Sequence, residues 1–214
     1  MRKLLAALLF APAALLSAEG GHPLDPAPID ARDLVSLQSG ARTFVNYCMG
    51  CHGAQYMRYN RLTELGLTES QIRDNLMFSA EKVGETMKVA MTVKDGKAWF
   101  GVPPPDLSVT ARARGADWLY TYLRTFHRDA RSAHGWNNKV FPNAAMPHVL
   151  WKVQEEQSAV QYDTTVRDLV NFLVYAGEPS AQSRKSIGIV VLFVLGVLFI
   201  FAYMMKKAFW KDVR

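Results

Sequence analysis

CMGCH, residues 48–52, is the stretch around which the fold of this chain is organised. Two cysteines separated by two residues and followed directly by a histidine form the attachment pattern of a c-type haem. In that chemistry each thiol forms a thioether with one haem vinyl group, and the imidazole binds the iron as an axial ligand. The pattern therefore predicts Cys48 and Cys51 as haem-attachment residues and His52 as an iron ligand.

Two other chemistries also use a C-x-x-C pair. A dithiol redox pair is expected near a βαβ pattern, and a zinc site needs further ligands. The sequence shows no βαβ pattern, and it contains only 2 cysteines, so zinc would have to be completed by scattered histidines. Haem attachment is the preferred interpretation, and a haem-free redox or zinc module stays open as an alternative.

The N-terminus has the composition of a secretory signal peptide. A short basic region at Met1–Lys3 precedes an apolar run from Leu4 to Leu16, and small residues follow at Ser17 and Ala18. This order predicts a signal peptide over residues 1–18. We therefore expect the rest of the head to be exported.

The other end carries an apolar run from Ile187 to Met205. As a helix it would be roughly 28 Å long, close to the hydrocarbon thickness of a bilayer. Basic residues follow it at Lys206, Lys207 and Lys211, which favours a cytoplasmic C-terminus. The sequence therefore predicts one membrane span with an exported head.

The positive charge of the chain is explained by its two ends. The whole sequence has 25 basic and 19 acidic residues, for a formal net charge of +6. Eight of the basic residues and one acidic residue lie in residues 1–18 and 184–214, which leaves 17 basic and 18 acidic residues in the head. The excess therefore belongs to membrane targeting, and no nucleic-acid partner is predicted.

The head is predicted to be mostly helical. Proline-rich residues 21–29 should be extended, and residues 56–67 irregular. Asp95-Gly96 is predicted as a turn, residues 131–145 as a loop, and residues 181–186 as a linker to the anchor. Apolar periodicity and capping residues predict four helices, with a Thr68–Gln71 capping box in the second and Asp163 as the cap of the fourth. They span residues 33–48, 68–78, 117–127 and 163–176.

A second axial ligand is expected on the other face of the iron. Methionine ligation raises the reduction potential and leaves no open coordination position on the iron, which suits electron transfer. Met146 lies in the loop Asn143–Pro147 between two predicted helices, where its sulfur could approach the iron without distorting a helix. The alternatives that remain at this point are His127, His134 and His148.

A proline-rich segment, residues 100–107, is predicted to be rigid and non-helical. It is either a simple linker or a wall that holds the haem edge and the His52 ring. Arg112 and Arg114 follow it, and either could pair with a haem propionate or be a solvated charge.

WFGVPPPDLSVTARARG, residues 99–115, closely resembles a segment of the cytochrome c1 family, the c-type haem subunits of the cytochrome bc1 complex. The order of the haem motif, a later methionine–proline pair, a last head helix ending in Gly-Glu-Pro and one C-terminal anchor extends the resemblance over nearly the whole mature chain. The head has no clustered acidic insert, and its compact form is more similar to bacterial members.

The resemblance implies a mainly α fold. It would comprise a class I cytochrome c-like haem domain at residues 19–183, a single transmembrane helix at 184–206 and a cytoplasmic tail at 207–214. One haem c would be bound covalently at Cys48 and Cys51, with His52 and Met146 on the iron. Pro105 would line the haem, and Arg114 would pair with a propionate.

The function implied is that of an electron carrier in a bacterial inner membrane, with its haem domain in the periplasm. Electrons would pass from the Rieske iron–sulfur protein to a soluble or membrane-bound cytochrome c. Cytochrome b would be a further partner, the lipid bilayer would hold the anchor, and the complex would be dimeric. The alternatives are an anchored cytochrome of a terminal oxidase or another reductase, and an enzyme acting at the haem, which would need an open iron position.

Overall fold

The computed structural model describes residues 21–212, so the predicted signal peptide at residues 1–18 lies outside the described residues. The described chain is mainly helical, with two small antiparallel sheets. Its helices are α1 (Leu34–Thr43), α2 (Glu69–Asn75), α3 (Val93–Phe100), α4 (Thr110–Arg114), α5 (Ala116–Arg124), α6 (Trp151–Glu156), α7 (Ala159–Gly177) and α8 (Ala181–Phe209). The strands are β1 (Ala54–Arg58), β2 (Thr86–Met87), β3 (Phe126–Arg128) and β4 (Trp136–Asn138), and π-helical and 3₁₀ turns lie at Phe44–Cys48 and Tyr59–Leu65.

The centre of the head is the contact between α1 and α7. Gly40 lies where the two helices are closest, because a Cβ atom there would overlap the carbonyl of Asp168 and lie 2.7 Å from Cβ of Phe172. One turn further along, the rings of Phe44 and Phe172 pack at 5.6 Å. The glycine in the middle of α1 thus permits the close approach of the two helices.

The start of α7 differs from the prediction. The helix begins at Ala159, and its capping box is formed by Ser158 and Gln161 rather than by Asp163. Asp163 instead accepts two hydrogen bonds from the Arg124 guanidinium, at 2.6 and 2.8 Å. Asp163 therefore joins α7 to α5 through an ion pair and does not cap the helix.

The predicted capping box of α2 is confirmed. The Thr68 hydroxyl accepts from the Gln71 amide, and the Gln71 side chain accepts from the Thr68 amide. The turn predicted at Asp95-Gly96 is wrong. Both residues lie in α3, which Thr92 caps, and Gly96 is kept free of a side chain by close contact with Pro104.

The helix predicted at residues 117–127 and the loop predicted at 131–145 are both interrupted by a small sheet. α5 ends at Arg124, and Phe126 to Arg128 pair in antiparallel fashion with residues 136–138. The segment predicted as irregular at 56–67 likewise contains part of β1 and the 3₁₀ turn. The two small sheets depend on pairing with a partner strand, β3 with β4 and β1 with β2, which the composition of one segment does not reveal.

The extended N-terminal segment is attached to α5. The amide of Asp25 donates to Thr121 at 2.8 Å, and the amide of Ala27 donates to Asp117 at 2.8 Å. The Asp25 carboxylate also pairs with Arg124 at 2.7 Å. These contacts hold the chain against α5 without regular secondary structure.

The C-terminal helix α8 fits a membrane span. Residues Ser183–Phe209 are long and apolar enough to cross a bilayer, and none of that apolar stretch is buried against the head. The predicted linker at residues 181–186 is part of this helix instead. Exposed apolar side chains of this kind are stable when lipid covers them, so the protein is anchored in a membrane.

Candidate functional site

A cavity of about 320 Å³ lies beside the cysteine motif. Most of its lining is apolar, which is typical of a site for a small molecule or cofactor. The walls come from five parts of the chain: the cysteine motif, the proline-rich segment 100–107, α4 with α5, the loop 141–149, and α7.

The cysteine motif enters the cavity through a tight turn. After the π-helical turn at Phe44–Cys48, the amides of Cys51 and His52 both donate to the Cys48 carbonyl, at 3.1 and 2.8 Å. As a result Cys48, Cys51 and His52 all line the same cavity. π-helical turns of this type often occur at functional sites.

The environment of the cysteines does not favour thiol redox chemistry. Burial, together with the neighbouring Cys51, raises the pKa of the Cys48 thiol to about 12, and burial also raises the pKa of Cys51. Dithiol oxidoreductases instead lower a cysteine pKa, often at a helix N-terminus, whereas Cys48 lies at the C-terminal end of its helix. Within residues 21–212 no cluster of three His, Cys, Asp or Glu residues could hold a metal ion.

His52 is held in the orientation that a metal ligand needs. Its Nδ1 donates a hydrogen bond to the Pro105 carbonyl at 2.7 Å, so Nε2 is left with its lone pair. Burial lowers the pKa of His52, although the bond to Pro105 opposes this effect. A neutral imidazole with a fixed tautomer is the form that binds a metal.

The segment that follows Pro105 is fixed to the chain just after the cysteine motif. The Leu107 amide donates to the Gly53 carbonyl at 2.8 Å. The Asp106 carboxylate accepts from the amides of Gln55 and Ser108, both at 2.9 Å. Asp106 was not singled out from the sequence, and its role is to position the carbonyl that orients His52.

We expect Asp106→Ala to lower the free energy of unfolding by about 1 kcal/mol, since two backbone amides lose a charged acceptor in a half-exposed site. Denaturant unfolding of the full chain in detergent measures the change. Asp74→Ala, which removes an exposed carboxylate from α2, is the control. Equal stability of the two variants would contradict the positioning role of Asp106.

Met146 lines the cavity, and among residues 21–212 no other methionine does so. Met49, Met57, Met77 and Met87 are buried in the hydrophobic core instead. The sequence favoured Met146 because it lies in a loop between two predicted helices, and the structure brings that loop to the cavity.

The three histidines that were alternatives to Met146 do not line the cavity. His148 is buried, donates to Gln154 at 2.7 Å and stacks on Phe126 with ring centroids 5.0 Å apart. Nε2 of His134 donates to the Ala144 carbonyl at 3.0 Å. Nδ1 of His127 lies 3.4 Å from the Thr125 carbonyl, on β3.

The loop that carries Met146 is held by polar side chains of the β3–β4 hairpin. Asn138 is 1% exposed, and its amide group donates to the Tyr122 carbonyl at 2.7 Å, while its oxygen accepts from the amides of Val140 and Phe141. Asn137 accepts from the amide of Asn143, at 2.8 Å. Sequence reasoning missed both asparagines, because their partners are set by the hairpin.

Tyr122 contacts Met146 directly. Its hydroxyl donates to the Met146 sulfur at 3.6 Å, and its ring lies between Trp118 and Phe126. Burial raises the pKa of Tyr122 to about 12, so the hydroxyl remains protonated at neutral pH. Tyr122 lies within the helix predicted over residues 117–127, and no local sequence signal marked its hydroxyl.

The structure separates the two arginines that follow the proline-rich segment. Arg114 lines the cavity, where its guanidinium lies 5.1 Å from the ring centre of Trp118. Arg112 is not part of the lining, and it pairs with Glu178 at the end of α7, at 3.4 Å. Only Arg114 is therefore placed to pair with an anionic group of a molecule in the cavity.

These residues fit a covalently bound haem c. Two cysteines, a neutral histidine with a fixed tautomer, a methionine and an arginine meet around one largely apolar cavity. Thiols can anchor the macrocycle, imidazole and thioether are iron ligands in cytochromes, and the apolar lining excludes water. These residues would hold the haem and would supply it with two iron ligands.

Comparison with known proteins also points to a haem protein. Residues 26–213 match the profile described as the Cytochrome C1 family. The chain is 48% identical over 244 residues to cytochrome c1 of Allochromatium vinosum, with 100% of both chains covered. It is 30% identical over 229 residues to cytochrome c1 of Rhodospirillum rubrum, covering 85% of this chain and 83% of the relative.

A further relative carries a different name. The ammonia monooxygenase gamma subunit of Nitrosomonas europaea is 48% identical over 229 residues, covering 99% of this chain and 97% of the relative.

Proposed function

Because the chain belongs to the cytochrome c1 family, the haem subunits of the bc1 complex, we propose that His52 and Met146 are the two axial ligands of its single haem c. Cys48 and Cys51 provide the thioether bonds. The observation that carries this proposal is that these four side chains line one cavity, although Met146 is far from the motif in the chain.

The residues around the cavity give each ligand a defined state. His52 donates from Nδ1 to the Pro105 carbonyl and presents its other ring nitrogen, and the lining of the cavity around it is largely apolar. When bound, the haem supplies a one-electron redox couple. Ligation by Met146 would favour the reduced state of the haem and would leave no open site for substrate, which suits electron transfer without bond chemistry.

Two further residues contact the haem in this proposal. Arg114 pairs with a propionate, supported by its position in the lining, where Arg112 is absent. Pro105 lines the haem and at the same time orients His52 through its carbonyl. The segment 100–107 is thus a wall of the site.

The domain arrangement follows from the two ends of the sequence. Residues 1–18 are a signal peptide, 19–183 form a periplasmic haem domain, 184–206 are the transmembrane anchor and 207–214 the cytoplasmic tail in a bacterial inner membrane. Basic residues at the end of α8, Lys206 and Lys207, support this orientation.

Electrons arrive from the Rieske iron–sulfur protein and leave to a soluble or membrane-bound cytochrome c. Cytochrome b is the neighbouring membrane subunit, and the assembled complex is a dimer. The overall reaction is the oxidation of quinol by cytochrome c.

A second assembly is suggested by the name of the Nitrosomonas relative. That relative is named as a subunit of an ammonia monooxygenase, which makes an assembly with such an enzyme a second candidate for this chain. A terminal oxidase is the other assembly in which an anchored c-type cytochrome would fit. The three assemblies differ in the subunits and cofactors that accompany this chain.

Purification of the native assembly through a tag on this chain tests the proposal. We expect covalent c-type haem to be recovered together with b-type haem, and quinol to reduce both, as seen in reduced-minus-oxidised spectra. A preparation without the tag on this chain is the control for contaminating cytochromes. Recovery of c-type haem alone, with an oxidase-type haem, or with monooxygenase subunits would contradict the assignment to a bc1 complex.

A further inference from the structure

The ring of Tyr122 is fixed on two sides. It stacks on Trp118 with centroids 4.8 Å apart and planes within 10°, and it meets Phe126 edge to face at 5.0 Å. Asn138 holds the same residue from the backbone side by donating to its carbonyl. With only 9% of its surface exposed, Tyr122 presents its hydroxyl at a defined place.

The Tyr122 hydroxyl is directed at the sulfur of Met146. The hydroxyl-to-sulfur distance is 3.6 Å, and within residues 21–212 the sulfur is the hydrogen-bond partner of this hydroxyl. A buried hydroxyl normally has a partner, and thioether sulfur is a weak acceptor. The pairing of this buried hydroxyl with a weak acceptor therefore indicates that the fold holds the hydroxyl against the Met146 sulfur.

We propose that Tyr122 is a positioning residue that orients the Met146 sulfur and tunes the reduction potential through its hydroxyl. This inference rests on the proposed ligation of the haem by Met146. A thioether sulfur has two lone pairs, and a donor on one of them selects the other for the metal. The same hydrogen bond withdraws electron density from the sulfur, which weakens its donation to ferric iron more than to ferrous iron.

The consequence is a higher reduction potential than the two axial ligands alone would produce. Hydrogen bonds to metal ligands commonly tune the metal in this way. The change in reduction potential depends on the hydroxyl oxygen alone, because the aromatic neighbours hold the ring independently of it.

Tyr122→Phe removes that oxygen and keeps the ring. We expect the midpoint potential of the haem in the purified complex to fall, equivalent to a change of about two- to tenfold in the electron-exchange equilibrium with a reference couple, the size expected for one hydrogen bond. The methionine-dependent long-wavelength absorption of the ferric protein should shift as well.

Tyr59→Phe is the matched control. Tyr59 is also buried, and its hydroxyl also donates to a methionine sulfur, that of Met49, at 3.5 Å. Met49 does not line the cavity, so loss of this hydroxyl should leave the potential unchanged.

A double-mutant cycle separates tuning from general disturbance. In a Met146→Leu background, Tyr122→Phe should have no further effect on the potential, since no sulfur is left to accept the hydrogen bond. An equal shift in both backgrounds, or an unchanged potential and spectrum in Tyr122→Phe alone, would overturn the inference. If the wild type lacks the methionine-dependent absorption and Met146→Leu changes nothing, the ligation proposal itself has failed.

Discussion

Met146→Leu is expected to lower the reduction potential of the haem by a sizeable fraction of the ~0.8 V over which axial ligands set it. Leucine has nearly the volume of methionine but offers no lone pair, so the iron loses its sixth ligand while the cavity wall is kept. The open position should then bind carbon monoxide in the ferrous state, which the wild type should not do. Quinol-dependent reduction of the acceptor cytochrome should be lost in the assembled complex.

A potentiometric titration of the purified complex and carbon monoxide difference spectra measure these effects. Met87→Leu is the matched control, because Met87 is fully buried but does not line the cavity. A volume-conserving change there should cost under about 1.5 kcal/mol of stability and leave the haem unaltered. A wild-type potential in Met146→Leu, without carbon monoxide binding, would show that another side chain is the ligand.

Gly40→Ala should destabilise the head although alanine favours helices. The substitution removes a helix penalty of about 1 kcal/mol, but the added Cβ overlaps the Asp168 carbonyl and lies 2.7 Å from Cβ of Phe172. Overpacking in cores costs about 1–3 kcal/mol, and backbone on the opposing helix yields less easily than a side chain. We expect a cost near the upper end of that range, about 3 kcal/mol, so that the net loss in the free energy of unfolding is about 2 kcal/mol.

The effect should also reach the haem site. Leu169 and Leu173 of α7 line the cavity, so pushing α7 away from α1 alters the lining. Thermal unfolding of the full chain in detergent, followed by circular dichroism and by haem absorbance, measures both changes. Gly84→Ala is the control, since a Cβ there meets no atom within 4 Å. Unchanged stability of Gly40→Ala would mean that the helices separate at little cost.

Features that depend on neighbouring residues could be predicted from the sequence. The cysteine motif, the Thr68–Gln71 capping box and the apolar run of α8 each combine residues within one or a few turns of the chain. Their chemistry is local, so spacing and composition carry the information.

Features that depend on partners elsewhere were missed or misplaced. Asp163 is of a residue type that commonly caps helices, but in the structure it forms an ion pair with Arg124 on α5. Asp95-Gly96 had the composition of a turn, but both residues lie in a helix that Thr92 caps, and the close contact with Pro104 explains why residue 96 is a glycine. In both places the partner that explains the residue lies on another segment of the chain.

The sequence by itself therefore determined the chemistry of this protein: a haem-binding motif, a set of candidate ligands and a membrane anchor. Only the tertiary structure decided which candidates meet. It placed Met146 and Arg114 at the cavity and paired Arg112 with Glu178 instead. It also placed the Tyr122 hydroxyl within hydrogen-bonding distance of the Met146 sulfur. The physical reason is that covalent spacing fixes neighbours along a chain, whereas packing of α5, α7 and the β3–β4 hairpin fixes neighbours across it.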